Sequence, residues 1–378
     1  MQFFRNDLEG LFLERPNRFI VIAETSAGII RAHCPNPGRL IEILTPGRKL
    51  IFQKSDNPNR KTPYSLVAAY YKDKIIPLNS VMANKAAAEL VIPILFPNAE
   101  KVTPEQTFGK SRFDFLIQEG NEKTYLEVKS CTLVEEGRAM FPDAPTTRGA
   151  RHINELITIE KKEPNTKGRA LFIIAHEDAE VFTPNMHTDP NFAFTLKKAL
   201  KKIQVDFASI RCNKNGIAEL VNLNIPVDIE PVKFAEEDSG IYMAIVKLEK
   251  NKTITTGELK FSEYKSGYYV YAGSAKTNLL KRIKRHKNTK KKTFHWHIDY
   301  LTAAADKVKT FAIYTDSFSE CDIAKGLLKI GGSEIPGFGS SDCSCSSHLY
   351  YFKENPVKNR AFLDLLHHFR HSYSDNRL

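Results

Sequence analysis

Long apolar runs are missing from this 378-residue chain, and none approaches the roughly 20 residues that a membrane-spanning helix needs. The first residues, Met1-Gln2-Phe3-Phe4-Arg5-Asn6-Asp7, carry no basic segment leading into an apolar one, so the cytoplasm is the default expectation and no membrane partner is expected. Cysteine is sparse. Cys34, Cys131, Cys212, Cys321, Cys343 and Cys345 are scattered along the chain, which excludes a dense secreted disulfide framework and suits a reducing compartment. An acidic excess is also absent: 55 Lys and Arg stand against 44 Asp and Glu, giving a net charge of +11. Such a balance favours a polyanionic partner, nucleic acid before membrane surface. With 42% hydrophobic and 26% charged residues the composition is that of a globular protein, too long for one ordinary core.

The stretch from Ser111 to Ser130 organises the rest. Two β-prone runs flank Gly120-Asn121, a pair suited to the positive φ angles of a tight turn. A two-residue loop sets Phe115 opposite Leu126, Phe113 opposite Val128 and Asp114 opposite Glu127. Alternation then predicts one apolar face and one face carrying Asp114, Glu127 and Lys129. Directly opposed carboxylates, with Cβ atoms roughly 4.5–5.5 Å apart, repel unless something mediates between them. A divalent cation, Mg²⁺ or Mn²⁺, held by Asp114 and Glu127 would do so, and Lys129 would hold attacking water or offset charge on a phosphate. The same alternation also fits a solvated face on which Lys129 merely offsets two acids.

Residues 1 to about 80 hold short β-prone runs at Arg18–Glu24, Ile29–Cys34, Lys49–Lys54 and Ser65–Tyr71, separated by Pro/Gly/Asn turns. The spacing predicts a small OB-like β-barrel, whose groove for single-stranded nucleic acid would be lined by Arg31, Arg39, Arg48, Arg60, Lys61 and Tyr64. Residues 81–228 predict an α/β domain: a helix over about 84–94 ending near Pro93, the hairpin, a helix capped by Thr147, then strand, helix and strand, with a helix on each face of the sheet and the acids at its edge. Arg148, Arg151 and His152 near the start of the second helix are candidates to receive a phosphate. Residues 229–239, acidic and proline-bearing, read as a linker.

A second set of motifs follows. Gly240 to Leu248 and Gly267 to Ser274 read as strands, and a basic helix then carries Leu279, Leu280 and Ile283 on its apolar side, with Lys281, Arg282, Lys284, Arg285, His286 and Lys287 elsewhere. Lys290, Lys291 and Lys292 extend the charge, and binding to a phosphate backbone through this surface would weaken steeply with salt. His295, His297, Cys343, Cys345 and His348 are donors that zinc accepts, but Cys-x-Cys and His-x-His are not its usual spacings. Val357 to Arg370 reads as an amphipathic packing helix inside a C-terminal segment, 353–378.

Residues 1 to about 230 resemble the sugar fermentation stimulation protein A family through Glu14-Arg15-Pro16-Asn17-Arg18-Phe19, His33-Cys34-Pro35-Asn36-Pro37-Gly38-Arg39-Leu40, Ser111-Arg112-Phe113-Asp114-Phe115, Glu127-Val128-Lys129-Ser130 and Phe141-Pro142-Asp143-Ala144. The resemblance implies an OB-type barrel followed by a PD-(D/E)xK nuclease-like domain, with Asp114, Glu127 and Lys129 as its motif residues, and a DNA-binding role in regulating sugar utilisation genes. Residues 240 to about 352 resemble the GIY-YIG nuclease superfamily. That resemblance implies motif tyrosines at Tyr242 and Tyr271, the motif glycine at Gly273, a phosphate-neutralising Arg282 and a metal-holding glutamate at Glu320. The second motif departs from the family by reading Tyr-Ala-Gly, and the gap between motifs is long. The expectation is a multidomain α/β DNA-binding protein with metal-dependent nuclease activity. Its alternatives are a non-catalytic DNA-binding regulator and an RNA-processing nuclease, with DNA favoured over RNA.

Overall fold

The computed structural model describes residues 1–256, 259–288 and 294–372, and the chain divides into two compact units, Met1–Ile229 and Glu230–Leu378. Lys290, Lys291 and Lys292 lie outside the described residues. Among the described residues no helix is long and apolar enough to cross a membrane.

The first unit opens with strands Leu8–Asn17, Ile20–Thr25, Gly28–His33, Lys49–Lys54 and Tyr64–Tyr71. Antiparallel neighbours build the wall, and parallel pairing of Ala32 with Tyr64 and of His33 with Ser65 closes it into a five-stranded barrel. Inward positions such as Val21, Leu50, Phe52 and Leu66 are fully buried and fill it. Two of the motif segments turn out to be one object: the Arg15 guanidinium donates to the carbonyls of Gly38 and Asn36 at 2.7 Å and of Arg39 and Arg18 at 2.8 Å. Asp143 joins them by accepting from the Leu40 amide at 3.3 Å. Arg15→Ala strands four carbonyls at once and is expected to lower the unfolding free energy of this unit by about 2–3 kcal/mol, read by urea denaturation.

Strand Lys74–Pro77 pairs with the barrel and, through Ile75 opposite Cys212, with Gln204–Cys212, so barrel and α/β layer share one twelve-stranded sheet. Beyond that junction come parallel strands Thr166–Ile174 and Glu122–Cys131, then antiparallel Ser111–Glu119 and Lys101–Phe108. The motif strand Glu122–Cys131 is therefore internal rather than at the edge. Helices Thr147–Lys162 and Pro190–Ala199 share one core, with Ile153, Leu156, Phe192 and Leu196 packed around Phe172. The expectation of one of these helices on each face is corrected. The three parallel strands are added in one direction, so two right-handed crossovers fall on the same side. The opposite face is covered by Met82–Ala86, a π turn at Ala87–Val91 and Ile92–Leu95. This helical segment runs past Pro93 because the wide turn places that proline, which lacks an N–H, in the first turn of the last piece. The cap of the following helix is Thr146, not Thr147: its hydroxyl accepts from Gly149 at 3.0 Å.

The second unit begins inside the expected linker, where Val232–Glu236 forms a short helix that buries Val232, Phe234 and Ala235. Its sheet runs in the order Lys307–Ile313, Gly240–Leu248, Gly267–Ala275, Leu349–Phe352 and Ser333–Glu334, with a separate hairpin Lys252–Thr256 and Leu259–Tyr264. Helices Leu279–Lys287, His297–Ala303, Glu320–Lys329 and Arg360–His371 complete it. The last helix packs on the sheet, as its amphipathic pattern implies: Phe362 meets Phe311 at 6.3 Å between ring centroids and Arg370 donates to the Ala312 carbonyl at 2.9 and 3.1 Å. On the basic helix Leu279 and Ile283 are buried but Leu280 is 47% exposed, outside the expected apolar side.

His367 on the last helix is buried, and burial, reinforced by the nearby Arg370 charge, lowers its pKa to about 3. The folded-state value lies below the unfolded one of 6.5, so the stability this ring contributes is complete above that pH and drains as pH falls toward 3. Thermal denaturation of His367→Leu should lose much less between pH 6.5 and pH 4 than wild type does.

Candidate nuclease sites and basic surfaces

The motif hairpin turns at Gly120, φ +55°, with Glu119 opposite Glu122 and Phe115 opposite Leu126, which is the expected register. There the ladder stops. The strand swings at Asp114, Phe113 packs on the helical side with Tyr125, and the expected pairs Phe113–Val128 and Asp114–Glu127 do not form. Asp114 instead accepts from the Val128 amide at 2.8 Å and from Asn84 Nδ2 at 2.7 Å. Both faces of the hairpin are core, so the expectation of one charged, open face is corrected: Glu127 is only 3% exposed.

Glu127 Oε1 receives the Lys129 ammonium and His152 Nδ1, the latter at 2.7 Å, while Glu127 Oε2 is buried with no hydrogen-bond partner. Burial, then repulsion from Glu127, raises the Asp114 pKa against the pull of the Val128 N–H, Asn84 and Lys129. Burial also pushes Glu127 upward, but His152 and Lys129 outweigh it and the net shift is downward. The two acids are thus close enough to repel, and the Lys129 ammonium bonds to Glu127 rather than to Asp114. His152 is not a surface phosphate receptor. It is 2% exposed, its ring sits 5.8 Å from Phe113, and its Nε2 accepts from Arg148 Nε at 3.4 Å, forming a chain from the exposed Arg148 to Glu127. Asn84 was missed in the sequence because it lies on a helix thirty residues upstream.

In the second unit the sheet register sets Tyr242 opposite Gly273 and Ala244 opposite Tyr271, bringing the tyrosine rings to 6.2 Å. They line a cleft of about 240 Å³ with Arg282, Glu320, Trp296 and Asp342. The glycine at 273 has a steric cause: a Cβ there would stand 2.5 Å from the Tyr242 hydroxyl. That hydroxyl pairs with His286 Nε2 at 2.8 Å, so His286 is a buried site residue and not part of the basic surface. Burial, then the neighbouring Tyr271, raises the Tyr242 pKa well above the usual phenol value; burial, despite Arg282, pushes Tyr271 up to about 12. Both phenols are therefore proton-bearing at neutral pH. Arg282 donates to the Ser274 carbonyl at 2.6 Å and lies 5.8 Å over the Trp296 ring, while Glu320 accepts from Ser274 Oγ at 2.8 Å. Asp342, a second acid in the cleft, was missed.

Of the remaining basic candidates, Arg31, Arg39 and Lys281 are exposed. Arg60 is half-buried and donates to Ser65 Oγ at 2.9 Å. Two are structural. Arg285 donates at 3.0 Å to the fully buried Asp299, and Arg48 donates at 3.0 Å to the Ile43 carbonyl while covering the Tyr71 ring at 4.8 Å. His295 and His297 line the cleft.

An OB-type barrel continuous with a layer that carries a D…ExK hairpin, together with a tyrosine-lined α/β unit, defines a nucleic-acid-binding protein of nuclease-like fold. The chain belongs to the sugar fermentation stimulation protein family. Residues 13–78 match the SfsA N-terminal OB domain, residues 78–216 the sugar fermentation stimulation protein RE domain, and residues 241–371 the domain of unknown function DUF123, which is GIY-YIG-like. A sugar fermentation stimulation protein homolog of Clostridium botulinum is 40% identical over 234 residues, 61% of this chain and 100% of the relative. Its counterpart in Clostridium perfringens is 41% identical over 225 residues, 58% of this chain and 96% of that one. The solved structure of Pyrococcus furiosus SfsA in complex with Ca²⁺ aligns with a TM-score of 0.55 at 29% identity, covering 60% of this chain and 99% of that one.

Proposed function

We propose that the first unit is a divalent-metal-dependent nuclease acting on DNA, with Asp114 and Glu127 as the metal-holding carboxylates. The observation that carries this reading is the convergence of a half-buried Asp114 and a buried Glu127, mutually repelling, where the hairpin ladder opens, with Glu127 Oε2 left without a partner. Two carboxylates are the hard oxygen donors that Mg²⁺ or Mn²⁺ prefers, and the Pyrococcus furiosus relative was solved with Ca²⁺, another cation of that preference. A cation bound there supplies the positive charge that draws phosphate and water oxygens together. The protein's own groups do the rest. The Val128 amide and Asn84 fix Asp114, His152 orients Glu127, and the Lys129 ammonium holds water or compensates charge at the phosphate. Arg31, Arg39 and Arg60 on the barrel and Arg148 beside the site are the proposed strand contacts. In the second unit, Tyr242, Tyr271 and Arg282, with Glu320 as metal holder, form a second candidate phosphodiesterase centre, and Lys281 with Arg285 flanks it.

The test is a cleavage panel of single-stranded, duplex and branched DNA plus RNA, with Mg²⁺ or Mn²⁺, using wild type, Asp114→Ala and Arg282→Ala. Cleavage lost in Asp114→Ala with binding retained supports the reading. Tight binding with no cleavage by wild type makes the protein a DNA-binding regulator, preferential cutting of structured RNA makes it an RNA-processing nuclease, and loss only in Arg282→Ala moves the chemistry to the second unit.

A further inference from the structure

The long polar loop that ends the second motif set folds against the start of helix Glu320–Lys329, and in doing so it brings Cys343, Cys345 and His348 to Cys321 on that helix's first turn. One ligand-type atom from each of the four lies within 4.8 Å of all the others. His348 Nε2 stands 3.7 Å from Cys321 Sγ and 3.4 Å from Cys343 Sγ, and all three cysteines are free thiols. A tetrahedron built with Zn–S of about 2.3 Å and Zn–N of about 2.0–2.1 Å has S···N edges of roughly 3.6 Å, between the two separations observed. We propose that Cys321, Cys343, Cys345 and His348 form a closed Cys₃His zinc site.

The donors are selective. Three soft thiolates and an imidazole suit zinc and not the hard cations that carboxylates take. A closed set of four protein ligands leaves no position for water or substrate, so the ion is structural. Its location says what it stabilises. The Phe338 carbonyl accepts from the His348 amide at 2.8 Å and the His348 carbonyl accepts from Ala272 at 2.9 Å, so the ligand at one end of the loop is already pinned to the sheet strand Gly267–Ala275. Between residues 337 and 348 the chain forms no helix or strand, yet Gly339, Ser341 and Asp342 from this stretch wall the cleft that also contains Glu320, the neighbour of Cys321. Zinc would tie the loop to the helix and set the spacing of Asp342 and Glu320 across that cleft. The sequence hid the site because one ligand stands 22 residues before the others and because His295 and His297, the more conspicuous pair, are not among the four clustered donors.

The full chain, purified reduced and without chelator after growth in zinc-supplemented medium, should contain about one zinc per chain by elemental analysis. Cys343→Ser/Cys345→Ser should lose it, whereas Asp114→Ala/Glu127→Ala should keep it. Because a ligand variant can misfold, wild-type protein stripped of metal and titrated with Co²⁺ gives a second readout: intense visible bands and near-ultraviolet thiolate charge transfer, saturating at one equivalent. Substoichiometric zinc with no such cobalt spectrum overturns the proposal, as does full zinc content in the double-serine variant. Neither readout involves cleavage, so the outcome is separate from that of the proposed nuclease function.

Discussion

Asp114→Asn is expected to lower metal-dependent cleavage by the first unit by about 10²–10³-fold, the scale of losing one preorganised charged group at a reacting phosphate. Single-turnover assays in Mg²⁺ and in Mn²⁺ read the loss, and equilibrium binding to the same oligonucleotide should stay within a few-fold. The amide keeps the shape and can still accept from the Val128 N–H. It removes a carboxylate whose ionised form is disfavoured by burial and by Glu127, so the variant should melt no earlier than wild type above the pH at which Asp114 ionises. An Asn variant that cuts at the wild-type rate ends the case for this pair of acids. His152→Ala should act differently: it orients Glu127 and touches no substrate, so a loss of about 10–100-fold, relieved in part by raised metal concentration, is the expected signature.

Gly273→Ala is the sharpest probe of the second cleft. The added carbon meets the Tyr242 hydroxyl at 2.5 Å, so either the tyrosine leaves its bond with His286 or the two strands separate where Tyr242 opposes Gly273. Any cleavage that survives Asp114→Asn should fall by about 10²-fold in the combined variant, with a comparable loss for Arg282→Ala. The tyrosine fluorescence and thermal transition of the single variant separate a displaced ring from an unfolded domain. Residual activity untouched by both changes rules this cleft out as its source.

Much of the architecture was legible because it depends on short-range signals. Gly120-Asn121 between β-prone runs set the hairpin register, the Pro/Gly-punctuated runs before Tyr71 marked the barrel, and the motif residues Tyr242, Tyr271, Arg282 and Glu320 converge on one cleft as the resemblance implied. Less visible were contacts that depend on which face of an element is covered. His152 lies four and seven residues before Leu156 and Ile159, and His286 lies three and seven after Ile283 and Leu279, so each histidine belongs by helical period to the buried stripe of its helix. That signal was present, but nearby arginines drew both histidines into the reading of a basic surface. Asn84, Asp342 and Cys321 had no such local signal. Their partners are remote in the chain, and only the folded sheet brings them together.

The strand pairing at Ile75 and Cys212 has a mechanical consequence. Because one hydrogen-bonded ribbon runs from the barrel wall to the strand holding Glu127, the barrel groove proposed to take a nucleic-acid strand and the acids proposed to hold the metal share one backbone framework. On the proposed function, the spacing between groove and acids is therefore set by the number of strands that separate them in the sheet.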